Sequence, residues 1–176
     1  MSFARTDAPE ELSRMVELCN SARLLATEDA LITPTSAAAW LRSQDVVVGE
    51  LGRRDHELLL RVRECLRDHV EGRDATRELN KLARQLLGAP RWSPEGDPVL
   101  PPRRTGPLTG YLAEILGTAF TAGLTGERDR LKTCRNPDCR WVFYDRSPAR
   151  NSEWCAQEDC AARRTPRRHR SRHVGG

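Results

Sequence analysis

Cys134 and Cys139 stand five positions apart, as do Cys155 and Cys160, and fifteen residues separate the two pairs. Spaced in this way, two chain segments can each bring two sulfurs to one ion about 2.3 Å away, the requirement of a tetrahedral zinc site. Disulfides or an iron–sulfur cluster would use the same residue type. The N-terminal stretch MSFARTDAPEELSRM, however, has no apolar core followed by a cleavage signal. A cytoplasmic, reducing setting is therefore expected, in which disulfides do not persist. One structural Zn2+ held by Cys134, Cys139, Cys155 and Cys160 is the expected cofactor. Four thiolates saturate a tetrahedral ion and leave no position for water or substrate, so catalytic zinc is not expected.

The residues around the cysteines suit such a site. Pro137 and Asp138 favour a tight turn between the first two ligands, and Trp141, Phe143 and Trp154 are placed to shield the sulfurs from water. Residues 140–154 read as a small β-hairpin, with RWVFYD as its aromatic strand and Asp145-Arg146-Ser147-Pro148 as its turn. A module with so few aliphatic side chains cannot bury enough surface to fold alone, so the ion substitutes for a core.

Charge is segregated along the chain. Up to residue 130 there are 18 basic and 20 acidic residues, and beyond it 11 and 5. The last fifteen residues, ARRTPRRHRSRHVGG, carry Arg163, Arg164, Arg167, Arg168, Arg170 and Arg172 with no acid. A basic tail beside a zinc module is the electrostatic footprint of a nucleic-acid binder, and DNA is the expected partner. A solvated tail, or one that grips a protein or membrane surface, is the alternative. If the tail is helical, Arg164, Arg167, Arg168 and Arg172 share one face, and a helix restarting after the first arginines would have Thr165 as N-cap and Pro166 at its first position. His169 and His173, four apart among arginines, read as solvated rather than as metal ligands.

Stepping along the rest of the 176 residues, apolar spacing predicts five helices. They run from about Pro9 to Arg23, from an N-cap at Thr35 or Ser36, from Arg54 to Val70 with Gly72 as C-cap, from Asp74 to Leu87, and from Pro107 to Leu124. The fifth is the most apolar, with Leu108, Tyr111, Leu112, Ile115, Leu116, Ala119 and Phe120 on its expected buried face. The Pro-rich stretch 90–107 is either an ordered loop or a short hairpin turning at Glu95-Gly96-Asp97. The expected fold class is mainly α: a helical domain over 1–127 followed by a zinc module over 131–176 made of a β-hairpin and a helix. No run of apolar residues is long enough to span a bilayer. Cys19 and Cys65 sit on apolar stripes and read as core residues. Asn20, Arg63 and Asn80 lie close to apolar faces, either satisfying backbone groups or lining a ligand pocket. No phosphate-binding loop, HExxH motif or nucleophile elbow is present, so an enzyme is not expected.

The run Cys134, Cys139, Trp141-Val142-Phe143-Tyr144-Asp145-Arg146-Ser147, Trp154-Cys155 and Cys160 resembles the CGNR zinc-finger family. In that bacterial family a mostly helical ABATE domain precedes a four-cysteine finger, and its members are proposed as stress-induced transcription regulators. Leu18-Cys19-Asn20-Ser21, Ala39-Trp40-Leu41, Arg63-Glu64 and Leu79-Asn80 carry a looser similarity over the N-terminal part. The resemblance implies a transcription regulator whose helical domain senses a small-molecule effector or forms a homodimer. A zinc-stabilised protein- or RNA-interaction module without DNA binding is the second reading. One departure stands out: the Cys-Gly-Asn-Arg that names the family is Cys160-Ala161-Ala162-Arg163 here. The ligand and the arginine are kept, and the Gly-Asn pair is lost.

Overall fold

The computed structural model describes residues 8–155 and residue 160. Among the described residues five helices dominate: α1 (Glu10–Cys19), α2 (Pro34–Ser43), α3 (Arg53–Glu71), α4 (Thr76–Leu86) and α5 (Pro107–Thr125). Three antiparallel strand pairs are inserted between and after them. They are β1 (Ala22–Arg23) with β2 (Glu28–Asp29), β3 (Arg91–Trp92) with β4 (Pro98–Val99), and β5 (Leu131–Thr133) with β6 (Val142–Tyr144). No helix among the described residues is long and apolar enough to cross a membrane.

Local chemistry explains most of the boundaries. The N-cap of α2 is Thr33, not Thr35 or Ser36. Its hydroxyl accepts from the Ser36 N–H at 3.1 Å, Ser36 Oγ accepts from the Thr33 N–H in return, and Pro34 takes the first helical position. α3 stops at Gly72, whose φ of +81° is open to glycine without a Cβ clash and whose N–H returns to the last turn. α1 ends at Cys19, short of the expected Arg23, because the chain turns into the β1–β2 hairpin. The Pro-rich stretch forms the hairpin rather than a plain loop, with Trp92 opposite Pro98 and Gly96 at φ +89° in its turn.

α3 and α5 share the centre. α5 packs on α1, α3 and α4, while α3 also meets α2 and β5. Leu59, Val62, Leu66, Leu112 and Ile115 are almost fully excluded from water between them. Cys19 and Cys65 are buried as expected, and burial pushes their thiols up to about 12 and about 11. Phe120 departs from expectation: it is 60% exposed, because α5 turns that side away from its neighbours.

The final hairpin is also not the one expected. β6 pairs with β5, which precedes the first cysteine, in the register Leu131↔Tyr144, Lys132↔Phe143 and Thr133↔Val142. The turn between the strands is the cysteine knuckle itself, and residues 146–155 return as a loop. Leu131 and Val142 lie in the same hydrophobic core as the helices. Burying a Leu and a Val contributes about 3 to 5 kcal/mol, so the hairpin is held onto the helices primarily by apolar packing across the expected boundary near residue 130.

Candidate metal centre and its mounting

The knuckle is built by short-range hydrogen bonds. Cys134 N–H donates to the Trp141 carbonyl at 2.9 Å, extending the β5–β6 ladder by one step. Cys139 N–H donates to the Asn136 carbonyl at 2.9 Å, and Asp138 N–H donates to Asn136 Oδ1 at 3.2 Å, which closes the turn between the first two ligands. The second ligand segment is tied to the first where Arg135 N–H meets the Glu153 carbonyl at 2.7 Å. Asp145 fixes the loop between them: its two carboxylate oxygens accept from the Ser147 N–H at 2.9 Å and the Ser152 N–H at 2.8 Å. Burial alone would raise the Asp145 pKa, but these hydrogen bonds outweigh it and hold the carboxyl at about 2.

All four Sγ atoms of Cys134, Cys139, Cys155 and Cys160 lie within 4.8 Å of one another, and all four residues are buried. A tetrahedron with metal–sulfur bonds of about 2.3 Å has edges of about 3.8 Å. The Cys139 and Cys155 sulfurs are 3.8 Å apart, so the donor set fits one zinc ion. Burial pushes the Cys160 thiol up to about 11, while a hydrogen bond from Asn136 Nδ2 at 3.7 Å acts the other way. A dication among the sulfurs reverses that balance and makes them thiolates. Its role is structural, because four sulfurs fill the coordination shell. Trp141 is buried against the sulfurs, with Phe143 and Trp154 half-buried beside it, as their positions in the sequence suggest. Leu25, from the turn between β1 and β2, packs there too and joins the helical domain to the centre.

Two further residues mount the finger, and sequence reasoning assigned neither of them this role. Arg140 follows the second ligand with a left-handed φ of +49°, which directs its guanidinium onto α3. There it meets Asp68 at 2.5 Å, Glu71 at 2.9 Å and Glu64 at 3.5 Å. Tyr144 donates its hydroxyl hydrogen bond to Glu127, just beyond α5, and that bond raises the phenol pKa.

Asn20, Arg63 and Asn80 do not converge on a shared site. Asn20 is buried and spends its amide on β6, donating from Nδ2 to the Val142 carbonyl at 2.7 Å and accepting the Val142 N–H at Oδ1 at 2.8 Å. Arg63 is buried and forks onto Asp29 at 2.6 and 2.9 Å, which fastens the β1–β2 hairpin to α3. Asn80 is exposed on α4. Arg163, Arg164, Arg167, Arg168, Arg170 and Arg172 lie outside the described residues, as do Ala161-Ala162, Thr165-Pro166, His169 and His173.

A helical domain whose fifth helix leads through one turn into a docked four-cysteine centre defines a zinc-finger protein with an N-terminal helical module. The ABATE family profile, described as "Putative stress-induced transcription regulator", matches residues 12–127, and the CGNR zinc finger matches residues 130–173. The chain belongs to the ABATE family. No curated protein matches it.

Proposed function

We propose that this protein is a cytoplasmic transcription regulator that binds DNA through its zinc finger and the arginines that follow it. The helical domain senses a small molecule or pairs two copies. The reading rests on one observation above all: the last zinc ligand, Cys160, is buried in a centre anchored to the helices, and six arginines follow it within twelve residues. A fixed ligand sets the starting point of that basic segment, and a fixed start lowers the entropic cost of docking it on phosphates. In this reading the protein is not an enzyme.

The test is DNA affinity as a function of salt. If the six arginines each neutralise one phosphate, log K falls against log salt with a slope of about −5. Replacing Arg163, Arg164, Arg167 and Arg168 with Ala should flatten that slope by about 3 to 4. No binding to any DNA, or binding indifferent to salt, defeats the proposal. One observation favours an RNA or protein partner instead: Trp92 is 73% exposed on the β3–β4 hairpin beside Arg91, as a base-stacking side chain would be. Loss of RNA affinity in Trp92→Ala without loss of DNA affinity would support that second reading.

A further inference from the structure

A cavity of about 480 Å³ lies between α1 and α5, next to the point where α5 gives way to the finger. Its size falls in the range of small-molecule sites. Leu12, Leu100, Ala113, Gly117 and Ala122 make it largely apolar. Space is left open at Gly117, where an added Cβ would meet only the Leu100 side chain at 3.7 Å. Phe120 and Leu124, 60% and 74% exposed on the same helix, extend the apolar surface beyond it.

The described lining carries charge of one sign. Glu11, Glu114 and Glu127 line the cavity, and none of the described lining residues is basic. Glu114 is neutralised by Arg14, which donates to its two oxygens at 2.6 and 2.7 Å. Glu11 forms no ion pair among the described residues, and the described partner of Glu127 is the neutral Tyr144 hydroxyl, with Arg130 and Arg146 near that hydroxyl but not in a described ion pair with Glu127. Two carboxylates outside any ion pair among the described residues, beside an apolar cavity, complement a molecule with an apolar body and a positive end.

From this arrangement we infer that the α1–α5 cavity is a binding site for small amphiphilic cations, with Gly117 leaving room for the apolar body and Glu11 and Glu127 facing the positive group. Glu127 also gives the site an outlet. A cation drawn to its carboxylate competes with the Tyr144 hydroxyl, and Tyr144 lies on β6, two residues after Val142 and paired with Leu131. Occupancy therefore bears directly on the strand that carries the metal knuckle. The binding step stands by itself; only its consequence for DNA rests on the regulatory reading above.

The experiment is calorimetric titration of the full-length, zinc-loaded protein with decyltrimethylammonium below its micelle threshold, alongside decanoate. Expected is one site that prefers the cation by about tenfold or more. Gly117→Leu should fill the cavity and abolish binding. The double variant Glu11→Gln/Glu127→Gln leaves the apolar lining intact and should erase the preference between the two amphiphiles, so the test survives if Gly117→Leu fails to fold. Equal affinity of wild type for both amphiphiles, or undiminished cation binding in folded Gly117→Leu, overturns the site. DNA affinity is measured in parallel with and without the cation, and a change of about threefold or more is expected. Protein that binds the cation but no DNA overturns the regulatory reading alone, whereas intact DNA binding without cation binding overturns the site alone.

Discussion

Asn20 and Val142 are 122 positions apart in sequence and exchange two hydrogen bonds, side-chain amide to backbone, of 2.7 and 2.8 Å. The amide of Asn20 treats β6 as a neighbouring strand would, donating to its carbonyl and accepting its N–H. Because both partners are buried, removing the amide leaves a buried backbone donor and a buried acceptor without partners. Asn20→Ala should therefore cost about 2 to 4 kcal/mol in denaturant unfolding. Asn20→Asp should be no better, because a carboxylate can accept the N–H but faces the Val142 carbonyl without a donor.

Zinc removal should release the finger before it unfolds the helices. Chelation, or Cys155→Ser, should collapse the ordered signal of the knuckle while most helical signal remains, as followed by amide exchange. The sign of the pH effect follows from the thiols. Burial pushes Cys160 up to about 11, so the free sulfur carries a proton at neutral pH and metal binding displaces it. Zinc affinity should fall as pH falls, because a thiol must give up its proton to bind the ion as thiolate. Competition with a chelator at several pH values checks this, and a pH-independent affinity would contradict the four-thiolate assignment.

Arg140 holds the finger's orientation more than its attachment. Its partners on α3 are partly solvated, with Asp68 38% and Glu71 23% exposed, so each ion pair contributes about 1 kcal/mol or less. The buried Leu131 and Val142 contribute more. Arg140→Ala should thus cost about 1 to 2 kcal/mol, and it should raise amide exchange in the knuckle more than in the helices. Arg140→Gly loses the same ion pairs but relieves the left-handed backbone at φ +49°, so it should be the more stable of the two variants. The reverse order would show that the backbone is not strained there.

The Arg63–Asp29 fork predicts an acid-sensitive contribution. Burial works to raise the Asp29 pKa, but hydrogen bonds from Arg63 and the Leu31 N–H outweigh it and hold the carboxyl below the ordinary carboxylate value. A depressed folded pKa means the stabilisation is fully present above the unfolded value of about 3.9 and is lost as pH falls through the lower folded value. The stability difference between wild type and Asp29→Asn should be constant near neutrality and shrink below about pH 4. Urea titrations of both proteins across that range would show it.

Much of the fold was legible from local pattern. Gly72 as a C-cap, Pro107 as a helix start and the apolar stripe of α5 are consequences of backbone sterics and 3.6-residue periodicity, which operate within a few residues. The same holds for the metal centre, since a Cys-x4-Cys step fixes how two sulfurs can reach one ion. The β-hairpin was misplaced because β5 is only Leu131-Lys132-Thr133, too short to show a period, while RWVFYD signals a strand without saying which side its partner lies on.

By itself the sequence determined which residues could chelate zinc, that five helices would form and roughly where, and where positive charge would gather, because each depends on neighbours within about a turn or a knuckle. Only the tertiary structure decided that Asn20 spends its amide on β6. It alone also placed Arg140 on the acids of α3, turned Phe120 outward and left Glu127 between a cavity and Tyr144. Those relationships join segments as much as 122 residues apart. No local spacing encodes them, because the packing of α3 against α5 and of the finger against both is what brings them within hydrogen-bonding distance.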